Sequence, residues 1–247
     1  GQAVIVSSMA SLSALYLFEQ AVQRGINVTV AAMGTTVLTA RRSGPAQVRI
    51  MTRRSELGVS ALPRARTDEA LRLCRELFGD LFVPQANCLA STLTNINPVA
   101  HGPLALFNWT RIERAENWPQ YHYMTPRVAR VIEQLDAERL ALAHAFGLQV
   151  RTIEEHFAKS FGTGASALAE IAAELHAKRG GPPGPTDTDT RFLAEDMPFG
   201  LAFCEELGRI ANVATPATQA IVKTASLITG RDLAGDNDLV DALALRG

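Results

Sequence analysis

The order of apolar and polar positions changes character part-way along the chain. Ala3-Val4-Ile5-Val6 is a short apolar run that reads as a buried strand. Leu12, Leu15, Phe18 and Val22 follow at helical spacing from Ser11 to Arg24, and Gly25 stops them. Val28 to Ala31, Gln47 to Met51 and Gly58 to Leu62 predict three further strands rich in Val and Ile. Strand, helix, strand, with an apolar run at each strand, predicts part of a parallel α/β sheet. A self-contained module of sixty residues would bury too little surface to be more than marginally stable, so half of a larger sheet is the better reading.

Beyond Pro63 the period is helical. Thr67-Asp68-Glu69 signals a helix start, with Ala70, Leu73, Cys74 and Leu77 on one face. Thr125-Pro126 opens a long helix carrying Val128, Val131, Ile132, Leu135, Leu142 and Phe146, closed by Gly147. Helices are also predicted over Thr152 to Phe161, Ser166 to Lys178, Asp196 to about Ala211, and Thr215 to about Gly230. Gly180-Gly181-Pro182-Pro183-Gly184-Pro185 is a loop. The expected fold class is therefore α/β plus all-α, with domains at 1–64 and 65–247. Gly1 opens the chain without a Met and a strand follows at once, which reads as the continuation of a longer chain.

Composition narrows the function. Of 247 residues, 47% are hydrophobic and 20% charged, with a formal net charge of −1. With no basic excess and only 6% aromatics, neither phosphate nor base-stacking recognition is favoured, and no nucleic-acid partner is expected. Cys74, Cys88 and Cys204 form no C-x-x-C pair, and the five histidines show no H-x-x-x-H spacing. No metal site is expected, and the cysteine use fits a reducing cytoplasm. No apolar run is long enough to predict a membrane span.

Two stretches carry candidate chemistry. In Asn95-Ile96-Asn97-Pro98-Val99-Ala100-His101, Asn97 before Pro98 reads as an N-cap and first-turn pair, placing His101 in the opening turn of a helix. An imidazole there can act as an acid/base group, although a capping Asn beside an ordinary histidine explains the residues as well. In Arg191-Phe192-Leu193-Ala194-Glu195-Asp196-Met197-Pro198-Phe199-Gly200, Asp196 reads as a helix cap and Arg191 as a loop residue. An Arg can also hold a carboxylate bidentately and an Asp can orient a His. Gly162-Thr163-Gly164-Ala165-Ser166-Ala167 matches G-x-G-x-x-A, but a helix and not a strand precedes it, so it reads as a helix–helix turn. Asp136-Ala137-Glu138-Arg139 reads as a solvated face with local ion pairs.

Taken together, Ser91 to Pro103, Ile132 to Arg139 (I-E-x-L-D-A-E-R) and Arg191 to Gly200 (R-x-x-x-E-D-x-P-x-G) resemble, in order and spacing, the motifs of the octopine/nopaline (opine) dehydrogenase family. The resemblance runs from Gln2 to about Leu233. It implies the second half of a Rossmann-like domain followed by an all-helical domain like the C-terminal domain of 6-phosphogluconate dehydrogenase. The glycine fingerprint would lie outside this chain, which alone is expected to be inactive.

The family activity is reductive condensation of an amino acid with a 2-oxo acid such as pyruvate, using NAD or NADP. By the same resemblance His101 is the acid/base, Asp196 orients it, Arg191 binds the oxo-acid carboxylate, Asn97 shapes the turn presenting His101, and Thr35 lies on the substrate side. One departure stands out. Where many members have Ala-Glu-x-x-Thr before an Arg, this chain has Ala31-Ala32-Met33-Gly34-Thr35 before Arg41, which disfavours arginine-like donors. A hydroxy-acid dehydrogenase of related fold and a non-catalytic helical association module are the alternatives. An open sheet edge is also expected to pair between copies as a homo-oligomer.

Overall fold

The computed structural model describes residues 2–7 and 10–245, the side chains of Ala10, Arg41 and Arg179 excepted. The chain forms two units, Gly1–Asn95 and Ile96–Gly247.

The first unit runs β1 (Gln2–Ser7), α1 (Ala10–Gln23), β2 (Val28–Met33), β3 (Leu38–Gly44), β4 (Gln47–Arg53), β5 (Leu57–Leu62), α2 (Thr67–Phe78), β6 (Phe82–Pro84) and α3 (Cys88–Leu93). Four strands make one sheet in the order β1-β2-β5-β6. β2 is buried along its whole length and alternates between two cores, as a strand's period of two requires. Val28, Val30 and Ala32 face a cluster with Ala14 of α1 and Cys88 of α3. Ala31 and Met33 face the opposite cluster with Ala70, Leu71 and Cys74 of α2.

Three expectations are corrected here. The sheet is mixed: β1 pairs with β2 in parallel, but β2 and β5 are antiparallel, with Val30 opposite Leu62. The cause is a hairpin between them. β3 and β4 pair with each other and turn the chain back, so β5 returns against β2 without a crossover helix. β1 is not buried; Gln2, Ala3 and Val4 are exposed at the edge of the described sheet. The composition changes at 64/65, but the units divide at 95/96. α2 packs on β5, and β6 joins the sheet beside β5, with Leu57 paired to Phe82.

The second unit is helical: α4 (Asn97–Phe107), α5 (Trp109–Glu113), α6 (Pro126–Ala145), α7 (Ile153–Phe161), α8 (Leu168–Arg179), α9 (Arg191–Ala194), a π-helical turn (Met197–Leu201), α10 (Ala202–Ala211), α11 (Pro216–Thr229) and α12 (Asp238–Ala242). α6 packs against α4, α8, α10 and α11, and Ile132, Leu135 and Leu142 on it are fully enclosed. Gly162 ends α7 in the left-handed region at φ 63°, so the G-x-G-x-x-A match is a helix–helix turn. The Gly/Pro loop is tied down: Gly184 N–H donates to the Trp118 carbonyl at 2.7 Å. A Cβ on Gly184 would lie 2.1 Å from the Trp118 ring, a contact no other residue could make.

The charged stretch on α6 is not a solvated face. Asp136, Glu138 and Arg139 are 3%, 5% and 2% exposed. Asp136 accepts from Arg139 Nε at 2.8 Å and from the Ile153 backbone N–H, the first of α7, at 2.9 Å. Arg139 also donates to the Arg151 carbonyl at 2.6 Å. Glu138 accepts from the Ala217 and Thr218 backbone N–H groups and from Thr218 Oγ1, at 2.8, 2.9 and 2.7 Å. The two carboxylates thus satisfy amides that helices α7 and α11 leave without intrahelical partners, at the positive ends of their dipoles. Burial raises the Asp136 carboxyl above its ordinary value, and the charge of Arg139 partly reverses the shift.

Candidate active site

The motif around His101 folds as helix α4, but Asn97 is its first residue and not its cap; Ile96 occupies the cap position and supplies no side-chain bond. The local reason is Pro98, which needs no N–H acceptor at the second helical position. His101 is therefore the fifth helical residue, beyond the opening turn.

Asp196 precedes the π-helical turn and makes no capping hydrogen bond. Its carboxylate points elsewhere: Oδ2 lies 2.8 Å from Nδ1 of His101. Both side chains are largely enclosed, 12% and 15% exposed. With Nδ1–H donating to Asp196, Nε2 is left for exchange with a reactant.

Two further features fix the pair. The Phe192 ring lies flat on the imidazole, with centroids 3.7 Å apart and planes at 4°. Phe192 is buried and sits in α9, whose start is capped by Thr190 Oγ1 accepting from Phe192 N–H at 3.3 Å. Close approach of α4 and the π-helical turn depends on two glycines. A Cβ on Gly200 would come within 2.4 Å of Pro98, and one on Gly102 within 3.0 Å of Met197 and 3.1 Å of Leu201. The π-helical turn itself contains Pro198, whose carbonyl accepts from buried Asn237 Nδ2 at 2.8 Å. Single π-helical turns recur at functional positions because they re-aim neighbouring side chains.

The other predicted residues stand as follows. Arg191 opens α9 with an exposed side chain and has no ion pair among the described residues. Asn97 lies one turn before His101 on α4. Thr35 belongs to the first unit, between β2 and β3, where its Oγ1 accepts from Arg54 Nη2 at 3.2 Å. Ala32 is fully buried in β2, and the side chain of Arg41 lies outside the described residues. The structure thus brings His101 and Asp196 together within one unit.

Phe192, Gly102 and Gly200 lie inside the motifs and are contributors to which the sequence reading assigns no role. The signal was an aromatic directly after Arg191 and glycines that no turn required. Among the described residues no group of three metal-ligating side chains occurs, and no helix is long and apolar enough to cross a membrane.

A model of the NAD/NADP octopine/nopaline dehydrogenase alpha-helical domain matches residues 84–229. An opine dehydrogenase from Arthrobacter sp. (strain 1C) is 30% identical over 249 residues, spanning 100% of this chain and 69% of that protein. The chain belongs to the opine dehydrogenase family. The vitopine synthase of Allorhizobium ampelinum is 30% identical over 155 residues, 58% of this chain and 42% of that relative. Two solved structures share the fold. Yersinopine dehydrogenase with bound NADP+ has a TM-score of 0.73 at 17% identity, over 99% of this chain and 71% of that one. Octopine dehydrogenase with NADH and L-arginine has a TM-score of 0.72 at 17% identity, over 92% and 63%. The chain therefore spans from 42% to 69% of these relatives' sequences. The fold class, part of a Rossmann-like domain followed by an all-helical domain, is that of this opine dehydrogenase family.

A second carboxyl in the helical unit makes a separate prediction. Glu205 of α10 has Oε1 buried with no hydrogen-bond partner among the described residues. Burial first, then the charges of Glu206 and Glu138, pushes this carboxyl up to about 7. A folded value above the unfolded one means that the folded state holds the proton more tightly. The stabilising contribution is complete below about pH 4.5 and is lost as pH rises through about 7. Glu205→Gln, neutral throughout, is expected to be about 1 kcal/mol more stable than the parent at about pH 8, discounted for partial solvation of the side chain. It should show no gain at about pH 4.5. Thermal melts at the two values check this, and an equal shift at both contradicts it.

Proposed function

We propose that the protein carrying this chain is an NAD(P)H-dependent opine dehydrogenase, which condenses an amino acid with a 2-oxo acid such as pyruvate. The amine nitrogen forms a bond to the carbonyl carbon, water leaves, and the resulting imine accepts a hydride and a proton to give a secondary amine.

The observation that carries this reading is the enclosed His101–Asp196 pair, 2.8 Å apart and stacked on Phe192. Nδ1 engaged by a carboxylate fixes the ring's orientation and offers charge compensation when the ring holds two protons. Nε2 is then the atom that takes a proton from the attacking amine and gives one to the departing carbonyl oxygen. Arg191, exposed and without an ion pair among the described residues, supplies the fork for the oxo-acid carboxylate. Asn97 sets the start of α4 one turn ahead of His101, and Thr35 contributes on the amino-donor side.

The nicotinamide of NADH or NADPH supplies the hydride when bound. The G-x-G-x-x-A match does not supply its pyrophosphate cradle, because it closes a helix at Gly162. The share of the residues named above is proton transfer and carboxylate binding. All three cysteines are free and buried, which supports a cytosolic, reducing location.

The test is oxidation of NADH and of NADPH by the whole natural protein with pyruvate, with and without a panel of amino acids. Oxidation requiring both an oxo acid and an amine supports the proposal. Oxidation with the oxo acid alone assigns a hydroxy-acid dehydrogenase instead.

A further inference from the structure

Arg54 is a partly enclosed cation of the first unit with no acidic counterpart among the described residues. It follows β4 and is tethered three ways to the Thr35–Leu38 turn. Its backbone N–H donates to the Val37 carbonyl at 3.2 Å. Its Nε donates to the Thr36 carbonyl at 3.0 Å, and its Nη2 to Thr35 Oγ1 at 3.2 Å. These bonds hold the guanidinium in one place, partly enclosed, and use two of its five N–H donors.

No carboxylate pairs with it among the described residues. Burial alone moves its titration downward, the mark of a cation removed from water without a compensating charge. Such a group is costly unless a ligand supplies the anion. A long cation held by neutral oxygens beside an open turn has the form of a receptor for a carboxylate, whose two oxygens match the fork.

We propose that Arg54, positioned by Thr35 and Thr36, binds a carboxylate of the amino donor in the reaction proposed above. The assignment to the donor rests on that reading, which puts Thr35 on the donor side. This turn presents a positive group and selects for an anion. Two carboxylates share that chemistry: the α-carboxylate of any amino acid, and the side-chain carboxylate of an acidic one.

The experiment compares the whole natural protein with Arg54→Gln and Arg54→Lys, using L-alanine, L-glutamate and L-alaninamide as donors and pyruvate as acceptor. Binding of each donor is measured by calorimetry as well as by turnover, and melting temperatures report folding. Arg54→Gln is expected to weaken L-glutamate by about tenfold or more, as loss of a charge-assisted pair does. The pyruvate KM should stay within about twofold, and Arg54→Lys should recover part of the loss because it restores charge without the fork. If L-alanine weakens in the same proportion and L-alaninamide does not, the α-carboxylate is the ligand. If only L-glutamate weakens, the side-chain carboxylate is.

Unchanged donor affinity overturns the proposal. So does a loss confined to pyruvate or the nicotinamide, or an equal loss for L-alaninamide. Should Arg54→Gln fail to fold, Arg54→Lys decides alone: donor affinity equal to the parent's overturns the proposal, and a selective loss for carboxylate-bearing donors supports it. Arg54-dependent donor binding without turnover would remove the activity and leave this assignment standing. Turnover without Arg54 dependence would do the reverse.

Discussion

His101→Ala in the whole natural protein is expected to lower turnover by about 10²–10⁴-fold, the range for loss of a general acid/base. The imidazole is held on three counts: by the Asp196 carboxylate at 2.8 Å, by the face of Phe192, and by a backbone approach that Gly200 and Gly102 permit. A ring so constrained spends little entropy in reaching its reactive position, which is where the rate advantage of a fixed acid/base lies. Steady-state kinetics with saturating oxo acid and amine check the value, with thermal melts showing that the helical unit still folds. Turnover within about threefold of the parent would remove His101 from the chemistry, because that loss is far below the cost of a general acid/base.

Arg139→Ala is expected to destabilise the fold by about 3–5 kcal/mol, the cost of stranding a buried charge. The guanidinium is 2% exposed and bonds Asp136 and the Arg151 carbonyl. Without it Asp136 keeps its bond to the Ile153 amide but loses its opposing charge in a water-poor site. The damage should spread, because Asp136 holds the start of α7 and Glu138, between the two, holds the start of α11. Urea unfolding monitored by circular dichroism checks the figure. A loss under about 1 kcal/mol is what an exposed pair would give, and would contradict the burial of this network.

The same stretch shows where sequence reading stops. Ile132, Leu135 and Leu142 declare the buried face of α6 by their spacing. Asp136, Glu138 and Arg139 follow the rule for a wet face, yet they are buried because the amide-rich starts of α7 and α11 come to them. No local pattern on α6 carries that information. β5 was legible from Gly58 to Leu62 because it is apolar and enclosed. β3 was not, since Leu-Thr-Ala-Arg-Arg-Ser-Gly has neither alternation nor a buried face, and it exists as half of a surface hairpin. β6 has three residues, too few for any period to show.

The site was readable in part. His101 and Asp196 stood out through the ordered motifs, although either alone had an ordinary explanation. Their contact across a sequence separation of 95 is a product of the fold. Asn97 was placed one position too early, because Asn before Pro is a capping pattern that Ile96 pre-empts here. Phe192 went unremarked because an aromatic inside a helical run reads as core, which it also is. Arg54 belongs to no motif; only the turn that grips it gives it meaning.

The most direct measurement follows the donor nitrogen. The whole natural protein is incubated with ¹⁵N-labelled amino acid, pyruvate and reduced nicotinamide, and the products are resolved by mass spectrometry. The expected product is a secondary amine in which the labelled nitrogen bridges the two carbon skeletons, formed in step with nicotinamide oxidation and with release of water. Oxidation that yields a 2-hydroxy acid while the labelled amino acid stays unconsumed would contradict it.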